Sequence, residues 1–129
     1  MSIVNAMPSV QTGNDYSTDE QIIGTWIDGK KLFQKTVSCG ALPDTSQKLV
    51  QTGLSNVVIR NMFGTAYKPS NGTVFPINTL PSFDPIPTLS GSAQIRMITR
   101  DYGSIIEIVT GDNRTSFTES YVTLQYTKI

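Results

Sequence analysis

Apolar and polar residues alternate along much of this chain with a period of two, the repeat of a β-strand with one buried face. In the clearest case Val122, Leu124 and Tyr126 share one face, whereas Tyr121 lies on the other. No segment carries apolar residues at helical spacing over ten or more positions. The pattern predicts eight strands, at about residues 21–27, 30–39, 47–52, 56–67, 73–78, 93–100, 103–110 and 118–128.

The segments between these strands are rich in turn-forming residues. The Asp-Gly pair at 28–29 and the Asn-Gly pair at 71–72 predict type I′ hairpin turns, because Gly and Asn tolerate positive φ. Residues 101–103 end in glycine and predict a bulged three-residue turn. Three prolines at 78–92 exclude a central strand, so we expect a long surface loop there.

Eight short strands joined by such turns predict an all-β fold, an antiparallel β-sandwich of jelly-roll type. The length of 129 residues is that of one ordinary domain. Residues 1–15 are mostly small and polar, and they predict an N-terminal arm or linker. The sandwich is expected to occupy residues 16–129.

The composition excludes several classes of partner and of chemical site. Ten basic and ten acidic residues give zero net charge, which argues against a nucleic-acid partner. The chain has no histidine and one cysteine, Cys39, so we expect no disulfide, no metal, no cofactor and no nucleophilic triad. No apolar run approaches the ~20 residues that cross a bilayer, so we expect no membrane insertion.

Two segments carry a resemblance to a known family. They are Tyr-Ser-Thr-Asp-Glu-Gln followed by Gly-Thr-Trp-Ile-Asp-Gly-Lys within 16–30, and Tyr-Val-Thr-Leu-Gln-Tyr-Thr-Lys at 121–128. The chain resembles the head domain at the C-terminal end of bacteriophage tail-fibre and baseplate proteins. The resemblance implies a virion protein, made in the bacterial host cytoplasm, that forms a homotrimer and contacts a host cell-surface glycan. We expect the arm to bind other virion proteins.

Two alternatives to a receptor-binding head stay open. One is a purely structural subunit, such as a capsid decoration, head-fibre or baseplate accessory protein. The other, more remote, is a glycoside hydrolase, since that chemistry needs only two carboxyl groups. The carboxylates considered for it are Asp28, Asp84, Asp101, Glu107, Asp112 and Glu119.

Two turns are the candidate receptor-binding loops, because loops on a rigid scaffold often carry recognition. One offers a ring beside a carboxylate, Asp101 and Tyr102; the other offers Asp112, Asn113 and Arg114. They flank one strand at opposite ends, so within a subunit they are not expected to form one site. The alternative is that both are structural turns.

Four residues are candidates for structural or interface packing. Ile105 and Val109 lie on the opposite face of their strand from Ile106 and Ile108, which leaves two apolar faces, one for a neighbouring subunit. The sole tryptophan is expected to pack in the core or an interface, with sugar stacking as the alternative. The four candidates are Tyr16, Trp26, Ile105 and Val109.

Overall fold

A computed structural model describes residues 16–79 and 95–129. The predicted arm and most of the proline-rich segment lie outside the described residues. The described part folds into eight strands, as the alternation predicts, and the all-β prediction is confirmed. The strands are β1 (Gln21–Thr25), β2 (Lys31–Ser38), β3 (Gln47–Gln51), β4 (Val57–Lys68), β5 (Thr73–Thr79), β6 (Ile95–Arg100), β7 (Ile105–Thr110) and β8 (Glu119–Lys128).

Hydrogen bonds join all eight strands in one mixed sheet, in the order β1-β2-β8-β4-β5-β6-β7-β3. Every neighbouring pair is antiparallel except β5 and β6, which run parallel. The division into two sheets that a sandwich or jelly roll requires is therefore not confirmed. The last strand, β8, lies between β2 and β4, so strands far apart in sequence are neighbours in the sheet.

The sheet curls around a single apolar core. Ile106 on β7 and Leu124 on β8 are both fully buried in the same cluster. These strands are four positions apart in the sheet, which would separate them by roughly 19 Å if it were flat. One consequence of the curl is that the backbone amide of Val57, at the start of β4, donates to the carbonyl of Tyr102 at 3.1 Å.

The type I′ prediction for the two hairpin turns is wrong. Gly29 and Gly72 have φ of 88° and 75°, but Asp28 and Asn71 do not have positive φ. Each Asp or Asn side chain instead accepts a hydrogen bond from the backbone amide two residues later, at 3.0 and 3.1 Å. One left-handed residue, at glycine, is typical of a type I turn followed by a glycine bulge.

The turn between β6 and β7 has an unusual backbone. The predicted left-handed glycine is present, since Gly103 has φ of 83°, but Asp101 and Tyr102 also have φ of 53°. A left-handed conformation costs a non-glycine residue about 1–2 kcal/mol. The amide of Ser104 closes the turn by donating to the carbonyl of Asp101 at 3.1 Å.

Candidate functional site

The first candidate loop exposes its tyrosine to solvent. Tyr102 is 71% exposed at the tip of the β6–β7 turn. Its carbonyl is already engaged by the amide of Val57, and Asp101 contributes the carbonyl that closes the turn. The backbone of this loop therefore has a structural role, while its side chains face solvent.

The second candidate loop is built from local hydrogen bonds. The Asn113 side-chain oxygen accepts from the Thr115 amide at 3.0 Å and from the Thr115 hydroxyl at 2.8 Å. The Arg114 amide donates to the carbonyl of Pro43 at 3.2 Å, and its guanidinium lies 5.1 Å from the Phe75 ring centroid. The carbonyl of Asp112 accepts from a neighbouring loop. All of β7 separates this loop from the first, so the structure does not bring the two together.

The interface candidates occupy different parts of the surface. Trp26 is half-buried, lies outside the core cluster, and has the Arg60 guanidinium 5.0 Å from its ring centroid. Core packing is thus not its role, and its interface role stays a prediction. Ile105 and Val109 are half-buried on the outer face of β7, as the alternation predicts.

The sequence did not reveal the most distinctive surface of the described residues. Strand register places Phe63 of β4 opposite Thr123 of β8, and Thr65 opposite Tyr121. On the other side of β8, Thr36 of β2 also lies opposite Thr123. Together with the segment before β1, these outward-facing side chains form an open depression of about 390 Å³. Its lining residues are Tyr16, Ser17, Thr18, Thr36, Phe63, Gly64, Thr65, Tyr121 and Thr123.

Three aromatic rings line this depression while remaining accessible to solvent. Tyr16, Phe63 and Tyr121 are 70%, 40% and 45% exposed. The rings of Tyr16 and Phe63 are nearly perpendicular, at 85°, with centroids 6.4 Å apart. They therefore form a corner with two apolar walls, a shape that suits a small cyclic ligand.

A pair of hydroxyl groups lies among the rings. Thr36 Oγ1 and Thr123 Oγ1 are 2.9 Å apart and share one hydrogen bond, in which either can donate. Each hydroxyl has one hydrogen and two lone pairs, so one hydrogen and several lone pairs lie outside this bond. They lie at the floor of the depression, since Thr36 is half-buried and Thr123 is only 5% exposed. None of the described residues lining the depression has a charged side chain. Its polar chemistry is therefore that of neutral hydroxyl groups.

The wall carrying Tyr16 is attached to the sheet at two points. The backbone amide of Thr36 donates to the carbonyl of Ser17 at 2.8 Å. Farther along, the carboxylate of Glu20 accepts from the Tyr126 hydroxyl at 2.6 Å and from the Lys128 ammonium at 2.9 Å. The first bond holds the segment before β1 along the edge of β2, and the second holds Glu20 against the core-facing side chain of Tyr126 on β8.

The Glu20 cluster has shifted acid–base properties. Partial burial opposes ionisation of Glu20, but hydrogen bonds from Tyr126 and Lys128 outweigh it and lower the pKa of the carboxyl group. Burial raises the pKa of the Tyr126 phenol, and the bond to Glu20 raises it further. Near neutral pH the arrangement is thus a phenol donating to a carboxylate.

Other groups with possible chemistry are engaged in local interactions. Arg100 of β6 forms an ion pair of 2.7 Å with Glu107 of β7. Burial raises the pKa of the Cys39 thiol to about 11, so little reactive thiolate exists at neutral pH. Within 16–79 and 95–129, no three potential metal-ligating side chains lie together. That part of the chain also contains no helix able to cross a bilayer.

Comparison with known protein families, curated proteins and solved structures finds no match to this chain. The depression is therefore identified from the structure alone, without a related protein for comparison. A sequence signal for it existed in β4, where Phe63, Thr65 and Tyr67 occupy alternate, outward positions. The pattern did not show that β8 lies beside β4 and contributes Tyr121 and Thr123.

Proposed function

We propose that this chain is a bacteriophage virion structural protein whose head contacts a host cell-surface glycan through the aromatic depression. The observation that carries the proposal is an open, uncharged surface that combines three exposed rings with hydroxyl groups. The resemblance of the opening and closing segments to phage fibre heads supports the location in a virion. No catalytic step is part of the proposal.

The chemistry of the depression suits a sugar. A pyranose presents an apolar face of C–H groups and a rim of hydroxyls, so it needs a flat apolar surface and neutral polar partners. Aromatic rings supply that surface with little loss of conformational freedom. Phe63 and Tyr121 lie on strands, which fixes their positions before a ligand arrives.

Replacing Tyr121 with alanine is expected to weaken binding to a bacterial surface polysaccharide by at least about tenfold, a loss of 1.4 kcal/mol. The physical reason is that one wall of the depression disappears while the core is untouched, since Tyr121 faces outward. Binding of the purified protein to an array of bacterial surface polysaccharides measures the effect.

Tyr102→Ala is the matched control, because it removes a tyrosine that is even more exposed than Tyr121, 71% against 45%, from the β6–β7 turn. We expect its binding to equal that of the unchanged protein. If Tyr102→Ala abolishes binding and Tyr121→Ala does not, the glycan binds the turn and the depression is not the site. If the unchanged protein binds no polysaccharide, the proposal that it recognises a glycan is wrong.

Assembly with other chains is a second part of the proposal. On the outer face of β7, Ile105 and Val109 flank Glu107, which forms an ion pair with Arg100, and Ile98 of β6 lies opposite Glu107. Leu49 on β3 is 48% exposed at the edge of this group. We propose that the face packs against a second copy, that three copies form the head as the resemblance implies, and that other virion proteins hold it in the particle.

The isolated protein is expected to sediment at micromolar concentration with three times the 14.1 kDa mass of one chain. Leu49→Lys should shift it to monomer, because a charge would be buried in the contact. Val74→Lys, an exposed position on β5, is the control and should leave the mass unchanged. A monomeric unchanged protein contradicts this assembly; a trimer that binds no glycan favours a decoration or baseplate role.

A further inference from the structure

The depression also carries information about which sugar it binds. We propose that it takes a neutral pyranose unit, with the apolar face of the sugar on an aromatic ring and a hydroxyl on the Thr36–Thr123 pair. This inference rests on the proposed glycan function and adds the chemical class of the ligand. Many bacterial surface sugars are uronic acids or carry phosphate, so neutrality is a specific claim.

The first argument is electrostatic. None of the described lining residues has a basic side chain to pair with a carboxylate or phosphate. An anion placed against Phe63 and Tyr121 would lose part of its hydration without gaining a counter-charge, which is unfavourable. A neutral sugar has no such loss, because its hydroxyls can remain partly solvated in an open depression.

The second argument comes from the perpendicular rings. When a pyranose stacks on the open face of one ring of this T-shaped pair, the other ring stands at the edge of the sugar, since the two planes meet at 85°. Tyr121 lies on the neighbouring strand, diagonal to Phe63, and can contact the next part of the glycan. A volume of about 390 Å³ is near the lower end of the roughly 300–1,000 Å³ of ligand pockets, which suits one or two sugar rings.

The third argument concerns the hydroxyl pair. A sugar hydroxyl both donates and accepts, and the Thr36–Thr123 pair offers both a free hydrogen and free lone pairs. A carboxylate only accepts, so it would leave the lone pairs of the two threonines without a donor. The polar part of the depression therefore complements an alcohol better than an acid.

The test titrates the full chain with methyl glycosides of glucose, galactose and N-acetylglucosamine, and with methyl glucuronide and glucose 6-phosphate. Nuclear magnetic resonance shifts of the Thr36 and Thr123 methyl groups report occupancy. We expect at least one neutral glycoside to bind at least about tenfold more tightly than either anionic sugar. Its affinity should not change with salt concentration, because no ion pair forms.

Thr123→Val replaces the hydroxyl by a methyl group of the same shape and should weaken neutral-sugar binding by at least about fivefold. Should that variant fail to fold, Thr36→Val removes the other member of the pair with the same expectation. Anionic sugars that bind these positions as tightly as neutral ones overturn the inference but leave glycan recognition standing. If no sugar of either class moves the threonine signals, both the inference and the site in the proposed function are wrong.

Discussion

Replacing Gly103 with alanine is expected to lower the free energy of unfolding by about 2–5 kcal/mol. Gly103 has φ of 83°, a left-handed conformation that disfavours side chains. A Cβ there would also lie 2.4 Å from Val57 Cγ2 and 3.3 Å from Ile59 Cδ1. The loss is a large part of the ~5–15 kcal/mol that stabilises an ordinary domain.

Two other glycines separate the steric and backbone contributions. Gly29 has φ of 88° and no atom within 4 Å of the position of a Cβ. Gly29→Ala should therefore lower the free energy of unfolding only through backbone strain, by about 1–2 kcal/mol. Gly24 has open space without positive φ, and its alanine variant should stay within about 0.5 kcal/mol of the unchanged protein. Urea denaturation midpoints measure all three. Equal midpoints for the Gly103 and Gly29 variants would show that the β6–β7 turn does not pack tightly on β4.

Local features of the fold were predictable from the sequence because short-range physics sets them. The alternation in β8 placed Val122, Leu124 and Tyr126 on the core side, and all three are fully buried there. The eight predicted strands correspond to the eight strands found in the described residues, since most of them are bounded by Gly, Asn, Asp or Pro residues. The hairpins were correct even where the turn type was wrong.

The arrangement of strands was not predictable, because it depends on contacts between distant residues. The hydroxyls of Thr36 and Thr123 meet although 87 positions separate them in sequence. Alternation shows that Phe63 and Tyr121 face outward, but not that their strands are neighbours. The depression arises from that pairing of strands. The sequence analysis instead selected two turns as candidate sites, because their polar residues are conspicuous in the sequence.

Tyr126 is the second position where a large effect is expected. Tyr126→Ala should lower the free energy of unfolding by about 3–5 kcal/mol, because loss of a fully buried ring leaves a cavity in the core beneath β8. The ring also stacks on Phe33, with centroids 5.8 Å apart and planes inclined by 18°. Tyr126→Phe keeps this packing and removes only the hydroxyl bonded to Glu20, so it should cost about 1 kcal/mol. Thermal and urea unfolding of both variants measure the two losses.

The phenylalanine variant also connects stability to the depression. Without the Tyr126 hydroxyl, Glu20 loses the shorter of these two hydrogen bonds and keeps the one from Lys128, so the segment carrying Tyr16 is held less firmly. We expect glycan binding to weaken severalfold while the core stays folded. The pKa of Glu20 is lowered in the folded protein, so its contribution to stability is present above the ordinary value of 4.5 and is lost as pH falls through the lower folded value. Tyr126→Phe should reduce that acid sensitivity. Unchanged binding and an unchanged pH profile would show that the Glu20 contact does not position the wall of the site.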